Sequence, residues 1–315
     1  MTNSEPRPTV RTVPIAPEYA GQRIDNFLFR TLKGVPKSLI YRILRTGEVR
    51  VNGGRIGPAY RLQLDDQIRL PPLRSATQEP VATPPSPLLR KLEHAILLED
   101  AEVLILNKPA GIAVHKGSGL PFGIIEALRV LRPGLYLELA HRLDRDTSGC
   151  LVLAKTPQAL AAVHEAMRLG TMDKRYLALV CGRWEKGTCD VSLPLRKNVL
   201  RSGERRVEVL LDGKQAHTRF KPISLWRRAA LLEAILHTGR THQIRVHAAH
   251  SGHPVAGDDK YGDPYCNQTM RRLGLRRLFL HAHSVMFALG KREVCVSAPL
   301  TQDLKDVLEH LETNR

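Results

Sequence analysis

Three short stretches bring carboxylates, guanidiniums, imidazoles and an aromatic ring together at close spacing. The first is His141-Arg142-Leu143-Asp144-Arg145-Asp146-Thr147-Ser148-Gly149. Two carboxylates and two guanidiniums fall within five residues of one another, ahead of a glycine and an apolar run at 150–154. In an extended segment Arg142 and Asp144 share one side and Leu143 takes the other. The carboxylate can then do chemistry in a cleft where Arg142 holds a phosphate or stacks on a base. The ordinary alternative is a salt-bridged loop. The second stretch is Lys174-Arg175-Tyr176-Leu177-Ala178-Leu179-Val180, a strand opening with two cations and a ring. Tyr176 is either a core tyrosine or a platform on which an extruded base stacks.

The third stretch is His237-Thr238-Gly239-Arg240-Thr241-His242-Gln243-Ile244-Arg245-Val246-His247, followed by His250, His253 and Gly257-Asp258. A strand ends at Thr238-Gly239. Thr241 is expected to cap a helix that Gly252 and Pro254 terminate. Arg245 then lies one turn beyond Thr241 and faces inward, and the helix start with Arg240 is a seat for phosphate. The histidines invite a metal reading, but His242 and His247 are five apart and share no helix face, and no HExxH pattern occurs. No metal is expected.

Elements that could hold these stretches follow from the apolar patterning. Strands are expected at 95–98, 103–106, 151–154, 176–180, 218–221, 231–237 and 294–297, and helices at 123–132, 157–169 and 301–312. Strands succeed one another without steady βαβ alternation, which predicts an α+β domain rather than a doubly wound sheet. This domain is expected over 93–315. Ahead of it, residues 73–92 form a linker within a stretch (71–92) that holds six prolines.

Residues 21–72 read as a separate small unit. Arg23, Ile24, Phe27, Leu28 and Leu32 follow helical spacing, Gly34 and Pro36 break it, and Ser38 can cap a second helix bearing Leu39, Ile40, Ile43 and Leu44. Asn52-Gly53 marks a tight hairpin. Up to residue 74 this unit holds 11 basic and four acidic residues, a surplus of seven. A helix–helix–hairpin with a basic face is a nucleic-acid clamp, with Arg23, Lys37, Arg42, Arg45 and Arg50 as candidate contacts. Residues 1–20 are expected to be a loose, flexible tail.

The whole chain repeats the bias. Its 315 residues carry 48 Lys and Arg against 31 Asp and Glu, a net charge of +17. A polyanionic partner explains such a surplus through counterion release. No apolar run approaches the ~20 residues that span a bilayer, and no signal-peptide pattern opens the chain, so no membrane partner is expected and the setting reads as cytoplasmic. The five cysteines are scattered and never form CxxC, which suits reduced buried thiols rather than disulfides. Phosphate-loop, GxGxxG and GxSxG motifs are missing, which removes support for ATP, NAD or serine-hydrolase chemistry.

Taken together, the three stretches resemble the RluA family of pseudouridine synthases. The nine residues 141–149 are similar to the family's catalytic loop throughout. Residues 174–180 and 238–247 with 252–262 resemble its other two motifs, and Asn107-Lys108-Pro109-Ala110-Gly111-Ile112-Ala113-Val114-His115 and Leu280-His281-Ala282 also fit. Residues 21–70 resemble an S4 RNA-binding domain, marked by 22–28 and 47–52. Two departures stand out: Asp65 replaces a usual S4 glycine, and Cys150 a usual aliphatic.

The resemblance implies a small S4 domain linked to a mixed, mainly antiparallel-sheet catalytic domain. It implies isomerisation of specific uridines to pseudouridine in 23S ribosomal RNA, free or in a large-subunit precursor, around the peptidyl transferase region. Asp144 would be catalytic, Tyr176 would pack on the target base, and Arg245 would keep Asp144 ionised. Arg142 would fill the place of the flipped base, with Arg145 and Arg240 as further RNA contacts. The reaction is redox-neutral, so no cofactor is expected, and a monomer is. The competing readings are an idle S4-type RNA-binding or ribosome-assembly factor, and a synthase acting on transfer RNA.

Overall fold

The computed structural model describes residues 9–32, 34–73, 84–116, 122–199 and 205–313. The chain forms two compact units that divide between Ala82 and Thr83.

In the first unit, β1 (Arg11–Pro14) precedes α1 (Ile24–Thr31), α2 (Lys37–Arg45), β2 (Arg50–Val51), β3 (Gly54–Arg55) and β4 (Gln67–Leu70). The strands form one antiparallel sheet in the order β1-β4-β2-β3. Ile24, Phe27 and Leu28 of α1 and Ile40, Ile43 and Leu44 of α2 recur at three- and four-residue intervals, and all six are buried. They pack on Val51, Ile68 and Leu70 of the sheet. Buried Asp66 accepts from the Asn52 amide, the Tyr60 hydroxyl and the Gln63 N–H, which ties the hairpin to the strand that follows. Asp65 takes φ +63°, the left-handed conformation a glycine would adopt, so the S4 turn survives the substitution.

Three expectations need correction here. The tail is shorter than 1–20, because Arg11–Pro14 pairs with Gln67–Leu70 and Ile15 is buried. Four residues including a proline carry no strand signal; the pairing with β4 makes the strand. Residues 1–8 lie outside the described residues. Ser38 does not cap α2, whose N-cap is Pro36 with no side-chain bond. The linker is shorter too, since α3 (Ser86–His94) begins inside it, started by the fixed φ of Pro85 and Pro87. Residues 74–83 lie outside the described residues.

The second unit continues through β5 (Ile96–Glu99), β6 (Val103–Lys108), α4 (Ile124–Leu131), β7 (Glu138–Leu139), β8 (Ser148–Ala154), α5 (Pro157–Leu169) and β9 (Asp173–Cys181). Next come β10 (Cys189–Ser192), β11 (Leu195–Val199), β12 (Arg205–Val209), β13 (His217–Leu225), β14 (Ala229–Leu236) and α6 (Gln243–His250). The chain closes with α7 (Pro264–Arg272), β15 (Leu280–Leu289), β16 (Arg292–Ser297) and α8 (Gln302–Thr313). Eight strands run in the order β10-β13-β14-β9-β15-β8-β6-β5, with β16 on β15 and β7 on β8. Every pairing is antiparallel except β15 with β8. The fold is therefore α+β with a mainly antiparallel sheet. Strands β8 and β9 are almost wholly buried and apolar on both faces, as central strands covered from two sides must be. Apolar side chains fill one layer against α3 and α4 and another against α5.

Cys181 at the end of β9 and Cys266 in α7 are disulfide-bonded, with Cα atoms 6.2 Å apart. This corrects the expectation of reduced thiols throughout. The two cysteines are 85 residues apart in sequence, and only the docking of α7 beside the end of β9 faces them. Cys150, Cys189 and Cys295 are free.

Candidate active site

The loop runs extended from His141 to Asp144, turns at Arg145-Asp146 with the Thr147 N–H on the Asp144 carbonyl, and enters β8 at Ser148, and its anchors lie on both sides of Asp144. Leu143 is buried while Arg142 is exposed, the alternation expected of an extended segment. The His141 ring accepts the Val152 N–H at 3.1 Å. Burial pulls its pKa down to about 4, so the ring stays a neutral acceptor. Lys108 is fully buried, and its ammonium donates to the carbonyls of Pro109, Ile112 and Arg145 at 2.8, 2.9 and 2.9 Å. Burial lowers its pKa to about 7, against the pull of Asp146 and Asp144. Three acceptors occupy the three protons of the charged form. The N–H of Gly111 reaches the same Arg145 carbonyl, so the 109–112 turn and the loop are stapled together. At the far end Gly149 has φ +109°, and a Cβ there would lie 2.2 Å from the Ala282 carbonyl oxygen of β15. Only glycine allows β15 this close.

Asp144 emerges half-buried from this frame. Arg245, in the first turn of α6, places Nη1 3.5 Å from Asp144 Oδ2. Its main partner is Asp258, which takes Nε and Nη2 at 2.7 Å each in a two-pronged pair. Asp258 also accepts the N–H groups of Lys260 and Tyr261, and its side chain is fully buried. Burial works against the Arg245 charge, but Asp258 and then Asp144 more than offset it, so its pKa stands above the ordinary value. Burial likewise raises the Asp258 pKa, and Arg245 more than cancels that rise. Arg245 is thus an aimed, permanently charged group held from behind, with its remaining nitrogen turned to Asp144.

Tyr176 lies in β9 between Ala234 of β14 and Ala282 of β15. Its small neighbours leave the ring facing a recess of about 60 Å³, lined also by Arg142, Asp144, Leu236, Arg240, His242, Ile244 and Leu280. Burial raises the phenol pKa well above its ordinary value and the Asp144 charge adds to this, so Tyr176 presents a neutral ring. The recess adjoins an open cleft of about 660 Å³ that Asp144 also lines, with Arg142, Arg145, Arg245, Lys260, Arg276 and Arg277 around it. Arg142 has no side-chain hydrogen bond or ion pair among the described residues and stands exposed at both openings.

The sequence places a cap at Thr241; the structure does not. The α6 N-cap is His242, in the left-handed region at φ +53°, ψ +19°. Buried Gln243 organises the turn instead. Its Oε1 accepts from Arg240 N and Thr238 Oγ1, and its Nε2 donates to the His217 carbonyl and Thr218 Oγ1. Arg240 sits at the recess with Nε on the Gln215 carbonyl. Arg145 is exposed and paired with Asp146 at 3.1 Å. His247 is held by Thr218 Oγ1 and the Leu193 carbonyl, a structural role that leaves no nitrogen for a metal. Asp190, His217 and His237 bring possible ligand atoms within 4.8 Å of one another. Asp190 already takes the Arg219 fork at 3.1 Å and His217 at 2.7 Å.

In the first unit, Arg23 is committed to Asp25 at 2.7 Å, and Arg50 turns onto the carbonyls of Gly47 and Gly53. Lys37 lies 5.0 Å from the Phe29 ring centroid, whereas Arg42 and Arg45 project from the exposed face of α2.

This frame matches known proteins. The chain fits the family model of RNA pseudouridylate synthases over residues 102–250 and that of the S4 domain over 22–68. A ribosomal large subunit pseudouridine synthase C from Pasteurella multocida (strain Pm70) is 52% identical over 311 residues, covering 97% of this chain and 95% of that protein. The protein of the same name from Escherichia coli (strain K12) is 52% identical over 316 residues, 98% of each. The chain belongs to the RNA pseudouridine synthase family. A solved structure of human RNA pseudouridylate synthase domain containing 4 superposes with a TM-score of 0.60 at 27% identity, over 71% of this chain and 95% of that one. As a pseudouridine synthase the chain is an isomerase, and at the Asp144 cleft a carboxylate, a buried ring and the exposed Arg142 guanidinium converge.

Spacing alone missed four residues that build this cleft. Asp258 lies within a quoted motif, but nothing local says that it faces Arg245. Lys108, His242 and Tyr261 also fall within quoted motifs, but nothing local assigns any of them a place in the cleft; only their burial and partners do.

Proposed function

We propose that this enzyme converts specific uridines of 23S ribosomal RNA to pseudouridine, in the large ribosomal subunit or its precursor, with Asp144 as catalytic carboxylate. The observation that carries the reading is the position of Asp144, which shares a recess with Tyr176 and meets Arg245 at 3.5 Å from the adjoining basic cleft. The ribosomal substrate is supported by relatives that bear the ribosomal large subunit name at about half identity over nearly their full length. No helix among the described residues is long and apolar enough to cross a membrane.

A uridine in folded RNA is out of reach until it leaves its stack, at a cost of a few kcal/mol. Arg142, free at the mouth of the recess, enters the vacated space and offsets part of that cost. The uracil packs against Tyr176. Asp144, kept ionised by Arg245, acts at the ribose–uracil junction while N1–C1′ breaks, either by bonding to C1′ or by taking the 2′ proton to leave a glycal. The freed uracil turns within the recess and rejoins C1′ through C5 as the Asp144–C1′ bond breaks or, on the glycal route, as Asp144 returns the proton to C2′; the proton lost from C5 is balanced by the one N1 gains. Atoms and electrons balance without a cofactor. Arg145 and Arg240 flank the target, and Arg42 and Arg45 of the S4 unit extend the grip along the RNA backbone, with Lys37 beside them.

The test is pseudouridine mapping of 23S ribosomal RNA from cells lacking the protein, complemented with wild type or Asp144→Asn. Sites are expected to vanish, return with wild type and stay absent with the variant. Return of the sites with Asp144→Asn would remove the assigned role, and an unchanged map in the deletion strain would remove the substrate.

A further inference from the structure

Asp144 has two oxygens, and the structure treats them differently. Arg245 Nη1 and His242 Nε2 both approach Oδ2, at 3.5 and 3.7 Å. Oδ1 takes no partner among the described residues. We infer that His242 is a positioning residue that, with Arg245, anchors Oδ2 of Asp144 and leaves Oδ1 to meet the sugar. This rests on the reading of Asp144 as the catalytic carboxylate.

The ring's hydrogen-bond partners set its tautomer. Tyr261 Oη accepts the Val207 N–H at 2.9 Å and lies 2.9 Å from His242 Nδ1. If Nδ1 carried the proton, the lone pair of Nε2 would face a carboxylate oxygen, a repulsive contact. If instead the tyrosine hydroxyl donates to Nδ1, the proton sits on Nε2 and points at Oδ2. Burial, with the Arg245 and Lys260 charges, lowers the His242 pKa against the opposing pull of Asp144, and supports the neutral ring. At 3.7 Å the contact is longer than a hydrogen bond; such contacts often tighten when substrate fills the site.

The backbone points the same way. Among the described residues His242 is one of three non-glycine residues with positive φ, and the other two lie in turns of the first unit. Such a conformation is strained for a residue with a side chain and persists where the surroundings impose it. Here the Gln243 side chain imposes it, and the result is a ring that lines both the recess and the open cleft. Tyr261 completes the brace, with the Arg245 guanidinium 5.0 Å above its ring. One tyrosine thus touches both groups that hold Oδ2.

The experiment measures pseudouridine formation on 23S ribosomal RNA from the deletion strain, with the full-length protein under single-turnover and steady-state conditions. His242→Asn keeps a residue that tolerates positive φ but cannot reach Oδ2. His242→Gln extends an N–H to the position of Nε2. The expected result for His242→Asn is a fall in kcat of about 100-fold, the scale of losing one aimed donor, with KM within about twofold. His242→Gln should recover at least about tenfold of that loss, and Tyr261→Phe should lose about tenfold. Wild-type kcat in His242→Asn, a loss confined to KM, or no difference between the Asn and Gln variants would each overturn the inference. Asp144→Asn runs in parallel: if it stays active the reading of Asp144 fails, whereas active His242 variants beside a dead Asp144→Asn sink this inference alone.

Discussion

Asp144 depends on charges that stand behind it. Asp258 never touches the recess, yet it holds Arg245 by two 2.7 Å bonds in a buried pair. Breaking such a pair leaves an uncompensated buried guanidinium, and Asp258→Asn is expected to cost about 3–5 kcal/mol in urea unfolding. The variant should also lose activity under conditions where it is still folded, because Arg245 is no longer aimed; full activity would show that the fork has no positioning role. The neighbouring histidines make a second prediction. His141 and His281 both have pKa values held near 4 by burial, against an ordinary 6.5. His281 accepts the Ser148 hydroxyl through Nδ1 and donates Nε2–H to the Ala298 carbonyl, so it too is built in as a neutral ring. Below pH 6.5 the unfolded chain takes up protons that the folded chain refuses. Stability therefore falls as pH drops from 6.5 towards 4, by up to about 3 kcal/mol for each ring, and neither contributes above 6.5. The native carboxylates with lowered pKa values act mostly below this window. Urea midpoints at pH 7, 5.5 and 4.5 check it, and a flat profile would contradict the neutral assignment.

Strands β8 and β15 meet in the single parallel contact of the large sheet, and that contact decides where the catalytic loop ends. Two residue pairs make it, His281 with Ser148 and Ala282 with Gly149. A methyl at 149 would press on the Ala282 backbone, and φ +109° suits no side chain. Gly149→Ala should therefore cost about 3 kcal/mol or more and reduce turnover along with stability, read as a lower melting temperature and a lower kcat. A variant that is both stable and active would mean that β15 can step aside. The same contact explains a limit of pattern reading. Strands 151–154, 176–180 and 231–237 announced themselves by apolar runs, and the helices at 123–132 and 157–169 by their spacing. β11 and β12 did not, because Arg196, Lys197 and Glu208 leave little alternation. Nor did α7, whose polar sequence is helical largely through Asp263, which caps it at Cys266 N, and Pro264. The cap at Thr241 was misplaced because a glutamine side chain, rather than a threonine, satisfies the turn.

The surplus of 17 positive charges belongs to the molecule as a whole, and its effect on RNA binding is electrostatic. Several candidate contacts turn out to be spoken for within the fold: Arg23 by Asp25, Arg50 by backbone carbonyls, Arg145 by Asp146 at 3.1 Å. Arg42 and Arg45 remain on the exposed face of α2. Replacing both with alanine should weaken RNA affinity, reduce the slope of log K against log salt by about 1.5, and leave kcat under saturating RNA unchanged. An unchanged slope would take α2 off the RNA. Composition and patterning pointed to a basic, RNA-binding chain in two parts, and the resemblance of its motifs to a known family supplied the expectation that Asp144, Tyr176 and Arg245 form its reactive set, because such motifs keep residue types at fixed local spacing. Folding alone set Lys108 under the loop, Asp258 behind Arg245, Tyr261 against His242 and Cys181 beside Cys266. Those partners are 13 to 85 residues apart, and local sequence holds no record of which buried groups will meet across a sheet.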